Sequence, residues 1–302
     1  MKKIVIAGGA GFVGKNLAHH LVRQGRQVVI LSRQNHLDEP GIRYVKWDAK
    51  ELGSWMTELE NAEALINLCG KSVNCRYTPE NKELIYDSRL HPTYLLGEAI
   101  GCCQHPPGVW INGTSATIYR HAEDRPMTEN DGVPGTGFSV DVCQKWESRL
   151  WEADTPGTRK VSLRMALVMG KKGGVLPVYE RLVRFGLGGR QGLGWQRLSW
   201  IHEEDLARAV EWIIEHRDLE GVFNAAAPEV PYNHQFMKQL RHQLKIPIGL
   251  PANRLMLKLG SILIGSEAEL VLKSRWISPE RLKKAGFQFQ FPTLQEALTN
   301  LV

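Results

Sequence analysis

The sequence lacks the cysteine patterns that hold a zinc ion or a disulfide framework. Its 302 residues include five cysteines, which form no Cys-x-x-Cys pair and have no zinc-ligand spacing. An odd number of cysteines without a framework is typical of proteins that keep their thiols reduced. We therefore expect a cytoplasmic protein without a metal site.

Long apolar runs and runs of basic residues are also missing. The stretch that comes nearest to a membrane span, residues 255–264, is interrupted by Lys258, and a spanning helix needs about 20 apolar residues. The net charge is +6, but the basic residues are scattered and no run of five occurs. We therefore expect neither a membrane nor a nucleic acid as a partner. A basic cleft for an anionic small molecule would account for part of the charge.

The most informative pattern stands at the N-terminus. An apolar run ends at Ala7, Gly-Gly-Ala-Gly-Phe-Val-Gly follows at residues 8–14, and an apolar-periodic stretch comes next. The glycines fit G-x-G-x-x-G from Gly9 and G-x-x-G-x-x-G from Gly8. Glycines permit a tight turn and a close approach to a pyrophosphate, and the helix that follows offers unpaired N–H groups to it. The residues predicted to bind the cofactor here are Gly8, Gly11, Phe12, Val13 and Gly14.

Strand and helix patterns alternate through the first half of the chain. This alternation predicts an α/β fold, a Rossmann doubly wound parallel sheet with helices on both faces. The predicted strands are 2–7, 27–31, 43–47, 64–67, 108–112, 160–163 and 222–224, and the predicted helices are 12–24, 79–103, 137–152, 177–185, 203–216, 233–244 and 253–272. The pattern changes after Gly170, so we predict a cofactor domain over residues 1–169 and a smaller C-terminal α/β substrate lobe over 170–302.

The end of the second predicted strand indicates which cofactor is preferred. Domains that prefer NAD normally place an acidic residue there, which binds the adenosine ribose. This chain has Ser32 and Arg33 instead. An arginine pairs well with a 2′-phosphate, and the serine hydroxyl can assist. The pattern predicts NADP as the cofactor, the alternative being a solvated arginine on a loop.

Motifs along nearly the whole chain resemble the sugar-nucleotide-epimerase-like branch of the extended short-chain dehydrogenases/reductases, often called epimerase family proteins. In chain order they are residues 8–14, Ser32-Arg33, Asn67-Leu68-Cys69-Gly70, Ser88-Arg89, residues 200–206 and residues 278–298. The last motif, with Pro-x-Arg-Leu and Gly-Phe-x-Phe, is similar to that family's own C-terminal module, which we place at about residues 250–298. The further residues that the resemblance implies in cofactor contact are Leu68, Cys69, Gly70, Glu83, Arg89 and Val168. For Glu83 and Arg89, a solvated helix face is the alternative.

The catalytic signature is where the chain departs from its relatives. Extended family members use a Ser or Thr and a Tyr-x-x-x-Lys pair, in which the tyrosine moves a proton and the lysine lowers its pKa. The resemblance puts Ser115 at the serine, but it puts Ser139 at the tyrosine and Cys143 at the lysine, and no Tyr-x-x-x-Lys occurs anywhere in the chain. Tyr119 and His202 are the candidates that remain for a substitute proton donor, although a histidine is more often structural.

Two hypotheses of different classes follow. The first is an NADP-binding epimerase/dehydratase-like oxidoreductase that acts on a small-molecule substrate such as a nucleotide sugar or a carbonyl compound. A loop with five glycines over residues 186–194 precedes the Trp-Ile-His motif. The resemblance implies that this loop faces the substrate, because the corresponding region does so in relatives. The second is a catalytically idle NADP-binding protein that senses redox state or regulates a partner, which the missing pair favours. The sequence does not indicate the oligomeric state.

Overall fold

The structure is a computed structural model that describes residues 2–253, 256–257 and 272–302. The helix predicted over residues 253–272 lies mostly outside these residues, as does the first part of the C-terminal module. Within them, a seven-stranded sheet is flanked by helices, and a three-stranded sheet belongs to a second lobe.

The large sheet is parallel throughout. In chain order the strands of both sheets are β1 (Lys3–Ala7), β2 (Gln27–Ser32), β3 (Ile42–Lys46), β4 (Ala64–Asn67), β5 (Val109–Ser115), β6 (Arg159–Met165), β7 (Leu167–Gly170), β8 (Gly173–Gly174), β9 (Trp200–His202) and β10 (Gly221–Ala225). The large sheet has the order β3-β2-β1-β4-β5-β6-β10. The progression reverses between β1 and β4, where a doubly wound sheet opens its ligand crevice. The predicted fold class is confirmed.

The composition of β1 explains why it lies at the centre. Ile4, Val5, Ile6 and Ala7 are all fully buried. Ile4 and Ile6 join one apolar core, whereas Val5 and Ala7 join a second core on the opposite face of the sheet. Side chains alternate along a strand, so an unbroken apolar run suits a sheet that is covered on both faces.

Helices cover both faces of this sheet and also pack in the second lobe. The helices of the described residues are α1 (Phe12–Arg23), α2 (Pro79–Gly101), α3 (Phe138–Glu152), α4 (Leu176–Arg184), α5 (Glu203–Glu215), α6 (Asn233–Gln243), α7 (Glu280–Lys284) and α8 (Leu294–Leu301). Helices α1 and α5 pack together over one face, and α2 and α3 over the other. Helix α2 starts where the sequence predicts, because the Thr78 side chain accepts from the Asn81 N–H and Pro79 fits the first turn.

The second lobe has its own core. Strands β8, β7 and β9 form its small sheet, which the sequence analysis did not predict. These strands have two to four residues, too few to show a period. Trp200, Phe236 and Leu294 are fully buried there between the small sheet and helices α4, α6 and α8.

The two lobes share elements across the predicted boundary at residue 170. Strand β10 pairs in parallel with β6 and so completes the large sheet, and α5 packs on α1. Both elements come from the segment predicted as the substrate lobe. The predicted boundary at residue 170 therefore separates two parts of the sequence, but the elements on its two sides pack together.

Asp205 anchors the C-terminal segment to α5. Its side chain is fully buried, and its carboxylate oxygens accept from the backbone N–H groups of Gln290 and Phe291, each at 2.8 Å. Arg208 donates to the same carboxylate at 3.0 Å. Without these contacts, the buried N–H of Phe291 would have no acceptor next to α8, and the Gln290 N–H would lose its own.

We expect Asp205→Asn to lower the free energy of unfolding by about 1–3 kcal/mol, since an amide offers one acceptor oxygen and turns an NH₂ toward a backbone donor. Urea titration followed by circular dichroism measures the change. Asp87→Asn, at an exposed position on α2, is the matched control. Equal stability of the two variants would contradict this account.

Candidate functional site

The candidate site lies where the carboxyl ends of the central strands meet. The glycine turn follows β1, the Ser32-Arg33 segment ends β2, and the Leu68–Gly70 segment follows β4. Two backbone hydrogen bonds tie these segments together: Gly8 N–H donates to Leu31 O at 2.9 Å, and Leu68 N–H donates to Ala7 O at 2.8 Å. The topology thus brings three separately predicted motifs to one crevice.

The glycines of the turn have different structural roles. Gly8 has φ +71°, and a Cβ there would lie 2.9 Å from Cys69 N. A Cβ on Gly14 would lie 2.3 Å from Gly9 O, where α1 crosses the turn. A Cβ on Gly11 would meet nothing within 4 Å. Gly8 and Gly14 are therefore required by the fold, whereas Gly11 borders open space.

The start of α1 faces that space without a side-chain cap. Gly11 is its N-cap residue, no side chain accepts from the first turn, and the first turn holds no acidic residue. The N–H groups of a helix start, together with the helix dipole, attract an anion. A pyrophosphate fits this arrangement in both charge and space.

On the side of the helix start that faces away from the open space at Gly11 lie Phe12, Val13 and Val168. They line a small apolar pocket together with Leu17 and Leu206. The Phe12 ring packs so closely on the β7–β8 turn that a Cβ on Gly170 or Gly173 would lie 2.2–2.3 Å from it. Phe12 and Val13 can thus offer a ligand their backbone N–H groups but not their side chains.

The end of β2 presents a buried hydroxyl next to an exposed guanidinium. Ser32 is buried and Arg33 is exposed. The Ser32 Oγ accepts from Gln34 N at 3.2 Å and lies 3.1 Å from His36 Nε2. The ring of His36 lies against Tyr44, with 4.8 Å between ring centroids. His36 was not predicted, since its approach to Ser32 depends on how the loop folds back.

Cys69 and Gly70 form the opposite wall of the crevice. Burial raises the pKa of the Cys69 thiol to about 12, and the Arg33 guanidinium acts against that rise. A thiol with so high a pKa is not a reactive thiolate at neutral pH. Cys69 is therefore a wall residue rather than a redox group.

Arg89 reaches the same wall from α2. Its guanidinium donates to Lys71 O at 2.9 Å and to Ile85 O at 3.1 Å, and a Cβ on Gly70 would lie 3.1 Å from its Cζ. Burial lowers the pKa of Arg89. No carboxylate in the described ranges forms an ion pair with it, so this buried cation suits an anionic ligand. Glu83 is exposed and stands six residues earlier, about 240° away around the helix, so the two do not share a face.

The position that the lysine occupies in relatives holds a buried, uncharged side chain in this protein. Cys143 on α3 is buried, and burial raises the pKa of its thiol to about 11. Ser139, one turn earlier, is half-buried and lies 3.3 Å from the Tyr77 hydroxyl. At the end of β5, the half-buried Ser115 accepts from Thr117 N at 3.2 Å. Of the three positions of the signature, 115, 139 and 143, the first two carry a hydroxyl and the third carries none.

Tyr119 does not support the predicted role of proton donor. It is 2% exposed, and its hydroxyl accepts from Arg164 at 2.8 Å and donates to Asn224 Oδ1 at 2.9 Å. Burial raises the pKa of Tyr119, and the Arg164 guanidinium opposes that rise. Arg164 in turn is held by Glu147. Tyr119 thus belongs to a buried polar network, in which its hydroxyl already has two partners.

His202 does not support that role either. Its Nδ1 accepts from Glu204 N at 3.0 Å, which caps α5, so its proton is on Nε2, 3.2 Å from Asn300 Oδ1. The ring stacks on Phe291 at 3.8 Å and is 2% exposed. Burial also lowers the pKa of His202. These contacts give His202 a structural role between α5 and α8.

The glycine-rich loop is more ordered than its sequence indicates. Its backbone pairs with the segment around Leu250: Gly189 N–H donates to Leu250 O at 3.1 Å, and Gly192 N–H to Ala252 O at 2.8 Å. A Cβ on Gly189 would lie 2.5 Å from the Leu250 carbonyl. Close backbone packing therefore accounts for Gly189, and a substrate contact at this loop stays a prediction.

Two further properties concern the described residues as a whole. Among residues 2–253, 256–257 and 272–302, no group of three or more His, Cys, Asp or Glu side chains is arranged to hold a metal ion. In the same part of the chain, every helix is too short or too polar to cross a membrane.

Comparison with known proteins identifies the family. Residues 4–226 match the NAD dependent epimerase/dehydratase family, and residues 254–301 match a domain of unknown function, DUF1731. An epimerase family protein of Staphylococcus saprophyticus is 32% identical over 303 residues, with 100% of both chains covered. Epimerase family protein YfhF of Bacillus subtilis is 31% identical, with 99% of this chain and 97% of the relative covered.

Solved structures agree with these matches. Human epimerase family protein SDR39U1 (isoform 2), solved with NADPH, superposes with a TM-score of 0.88 at 28% identity, covering 99% of this chain and 98% of the human one. MoeE5, solved with UDP-glucuronic acid and NAD, shares the fold, with a TM-score of 0.79 at 20% identity and coverage of 98% and 96%. The chain therefore belongs to the NAD dependent epimerase/dehydratase family, as an epimerase family protein with a DUF1731 module at its C-terminus.

Proposed function

We propose that this protein is an NADP-dependent oxidoreductase of the epimerase/dehydratase type, acting in the cytoplasm on a small carbonyl compound or nucleotide sugar. One observation carries the cofactor proposal. The uncapped start of α1 faces open space at Gly11, next to an arginine where NAD-preferring domains have an acidic residue. The human relative that was solved with NADPH supports it.

Each part of the crevice has a binding role in this proposal. The N–H groups at Gly11, Phe12 and Val13 hold the pyrophosphate, because a helix start favours an anion. Ser32 and Arg33 hold the 2′-phosphate through a hydroxyl and a fixed positive charge. Leu68, Cys69 and Gly70 form the wall beside the adenosine ribose, and Arg89 stabilises negative charge behind it.

The chemistry needs a hydride carrier and a proton path. When bound, the nicotinamide accepts or donates the hydride. In this proposal Ser115 orients the substrate oxygen by a hydrogen bond, since its Oγ accepts from Thr117 N and its own O–H remains available to donate that bond. Tyr119 and His202 have no part in this step, because their polar atoms are bonded within the protein.

We expect wild-type protein to bind NADP at least about tenfold more tightly than NAD, because a hydrogen bond to a charged group contributes about 1.5–3 kcal/mol. Arg33→Ala should remove most of this difference while leaving NAD affinity unchanged. Isothermal titration calorimetry with both cofactors measures it. Arg217→Ala, at an exposed arginine beyond α5, is the control. Equal dissociation constants for the two cofactors in wild-type protein would contradict the proposal.

A regulatory protein that binds NADP without turnover is the second candidate. The buried thiol of Cys143 and the hydroxyl of Ser139 favour this second candidate. The thiol does not supply the positive charge of a lysine, and the serine hydroxyl is a much weaker acid than a tyrosine. NADPH oxidation assayed against a panel of nucleotide sugars and small carbonyl compounds separates the two candidates. Turnover of any member supports the enzyme, and tight NADPH binding without turnover supports the regulator.

A further inference from the structure

Tyr77 brings a phenol to the position where the tyrosine of the Tyr-x-x-x-Lys pair is missing. It comes from the loop between β4 and α2 and contacts the first turn of α3. Its hydroxyl lies 3.3 Å from Ser139 Oγ, and its ring packs edge-on against Phe138, with centroids 4.7 Å apart. A tyrosine at position 139 would place its hydroxyl about one side-chain length from the α3 backbone. The Ser139 side chain and the hydrogen bond to Tyr77 together place the Tyr77 hydroxyl at about the same distance.

One cation acts on this phenol, and a second one lies near the buried Cys143. The Arg89 guanidinium lies over the Trp146 ring of α3, 5.2 Å from its centroid. The Tyr77 phenol and the Cys143 thiol both act on the pKa of Arg89, against the lowering caused by burial. Lys273, from the C-terminal module, donates from Nζ to Thr117 O at 3.0 Å, two residues beyond Ser115, and acts on the pKa of Cys143. Positive charge beside a phenol favours its ionised form. A lysine in the helix performs the same task in relatives.

We propose that Tyr77 is the proton donor and acceptor of this protein, with Ser139 holding its hydroxyl in place. The inference rests on the proposed function. In the reductive direction, a bound reduced nicotinamide would supply the hydride for the new C–H bond at the substrate carbonyl carbon and would itself be oxidised. The Tyr77 O–H bond would break, and its proton would form the O–H bond of the product alcohol. The Tyr77 phenolate would then regain a proton from water.

The first test locates the phenol relative to the two halves of the cofactor. 3-Fluorotyrosine is incorporated at Tyr77 in the full-length protein, and its ¹⁹F resonance is followed with NADP⁺ and with 2′,5′-ADP, which lacks the nicotinamide. We expect the resonance to shift with NADP⁺ only. The same label at Tyr94, a 44% exposed position on α2, should shift with neither.

The outcomes of this test are distinct. An unchanged Tyr77 resonance, while calorimetry shows NADP⁺ bound, would overturn the inference and leave the cofactor proposal intact. An equal shift with 2′,5′-ADP would place the phenol at the adenosine end and overturn it as well. Failure of both ligands to bind would overturn the proposed function, and the inference with it.

The second test uses variants and any substrate that the NADPH panel identifies. Tyr77→Phe should keep the ring contact with Phe138 and the NADP⁺ dissociation constant, and should lower the rate of hydride transfer about 10²–10⁴-fold, as loss of a general acid does. Tyr86→Phe is the matched control, because Tyr86 also packs on Phe138 but donates to Asp141. Equal rates in the two variants would overturn the inference.

Discussion

Replacing Glu147 by alanine is expected to lower the free energy of unfolding by roughly 3–5 kcal/mol, the cost of removing one partner of a buried ion pair. Glu147 on α3 and Arg164 on β6 have side chains that are 8% and 13% exposed. They form a two-pronged pair, with Nε to Oε1 and Nη2 to Oε2 both at 2.7 Å. Ser162 donates to the same carboxylate at 2.8 Å. The variant would leave a buried guanidinium without its counter-ion.

The electrostatics of the pair act in the same direction. Burial alone would lower the pKa of Arg164, but the Glu147 carboxylate and the Tyr119 hydroxyl together more than offset this and raise it. Urea titration measures the loss, with Glu152→Ala on the same helix as the control, since its side chain is 63% exposed. The double variant Glu147→Leu with Arg164→Met should recover most of the stability, because it leaves no unpaired charge. A loss below about 1 kcal/mol in Glu147→Ala would contradict the role of the pair.

This pair also explains where Tyr119 points. Arg164 holds Glu147 with two of its nitrogens and the Tyr119 hydroxyl with the third. The network links the end of β5, the middle of α3 and β10 through Asn224. Glu147, four residues after Cys143, thus has a structural role: it holds Arg164, which in turn holds the Tyr119 hydroxyl.

The parts of the fold and site that the sequence predicted depend on short-range rules. The β1 strand, the glycine turn and α1 follow one another within 23 residues, and each is favoured by local geometry. The crevice between Ser32 and Cys69 follows from parallel topology, because strand ends of one sheet meet at one edge. The glycine pattern in its strand-turn-helix context was therefore enough to predict the turn and the start of α1, whereas the Leu68–Gly70 segment was predicted from the family resemblance.

The parts that the sequence did not predict depend on contacts between distant segments. Tyr77 and Ser139 are 62 positions apart, and no pattern in either segment indicates that they meet. The burial of His202 depends on Phe291 and Asn300, which lie just before α8 and near its end. Sequence alone identified the residue types capable of proton transfer. Tertiary packing then assigned some of them to the crevice and others to the core.

The largest expected effect on binding comes from Gly11→Val. The branched side chain would fill the space in which the pyrophosphate approaches the start of α1, so NADP affinity should fall by about 100-fold or more, roughly 2.8 kcal/mol. The fold should survive, because a Cβ there meets no protein atom within 4 Å and the φ of −81° suits any residue. Calorimetry measures the affinity, and circular dichroism reports the fold.

Gly14→Val supplies the contrast that separates binding from folding. Its Cβ would lie 2.3 Å from Gly9 O and 2.4 Å from Gly9 Cα, so the turn and α1 cannot both keep their positions. We expect this variant to lose stability as well as cofactor, whereas Gly11→Val loses cofactor alone. Normal NADP binding by Gly11→Val would show that the phosphates lie elsewhere. Unfolding of Gly11→Val would show that its open space is needed by the protein itself, and the uncapped helix start could then no longer be taken as evidence for an anion site.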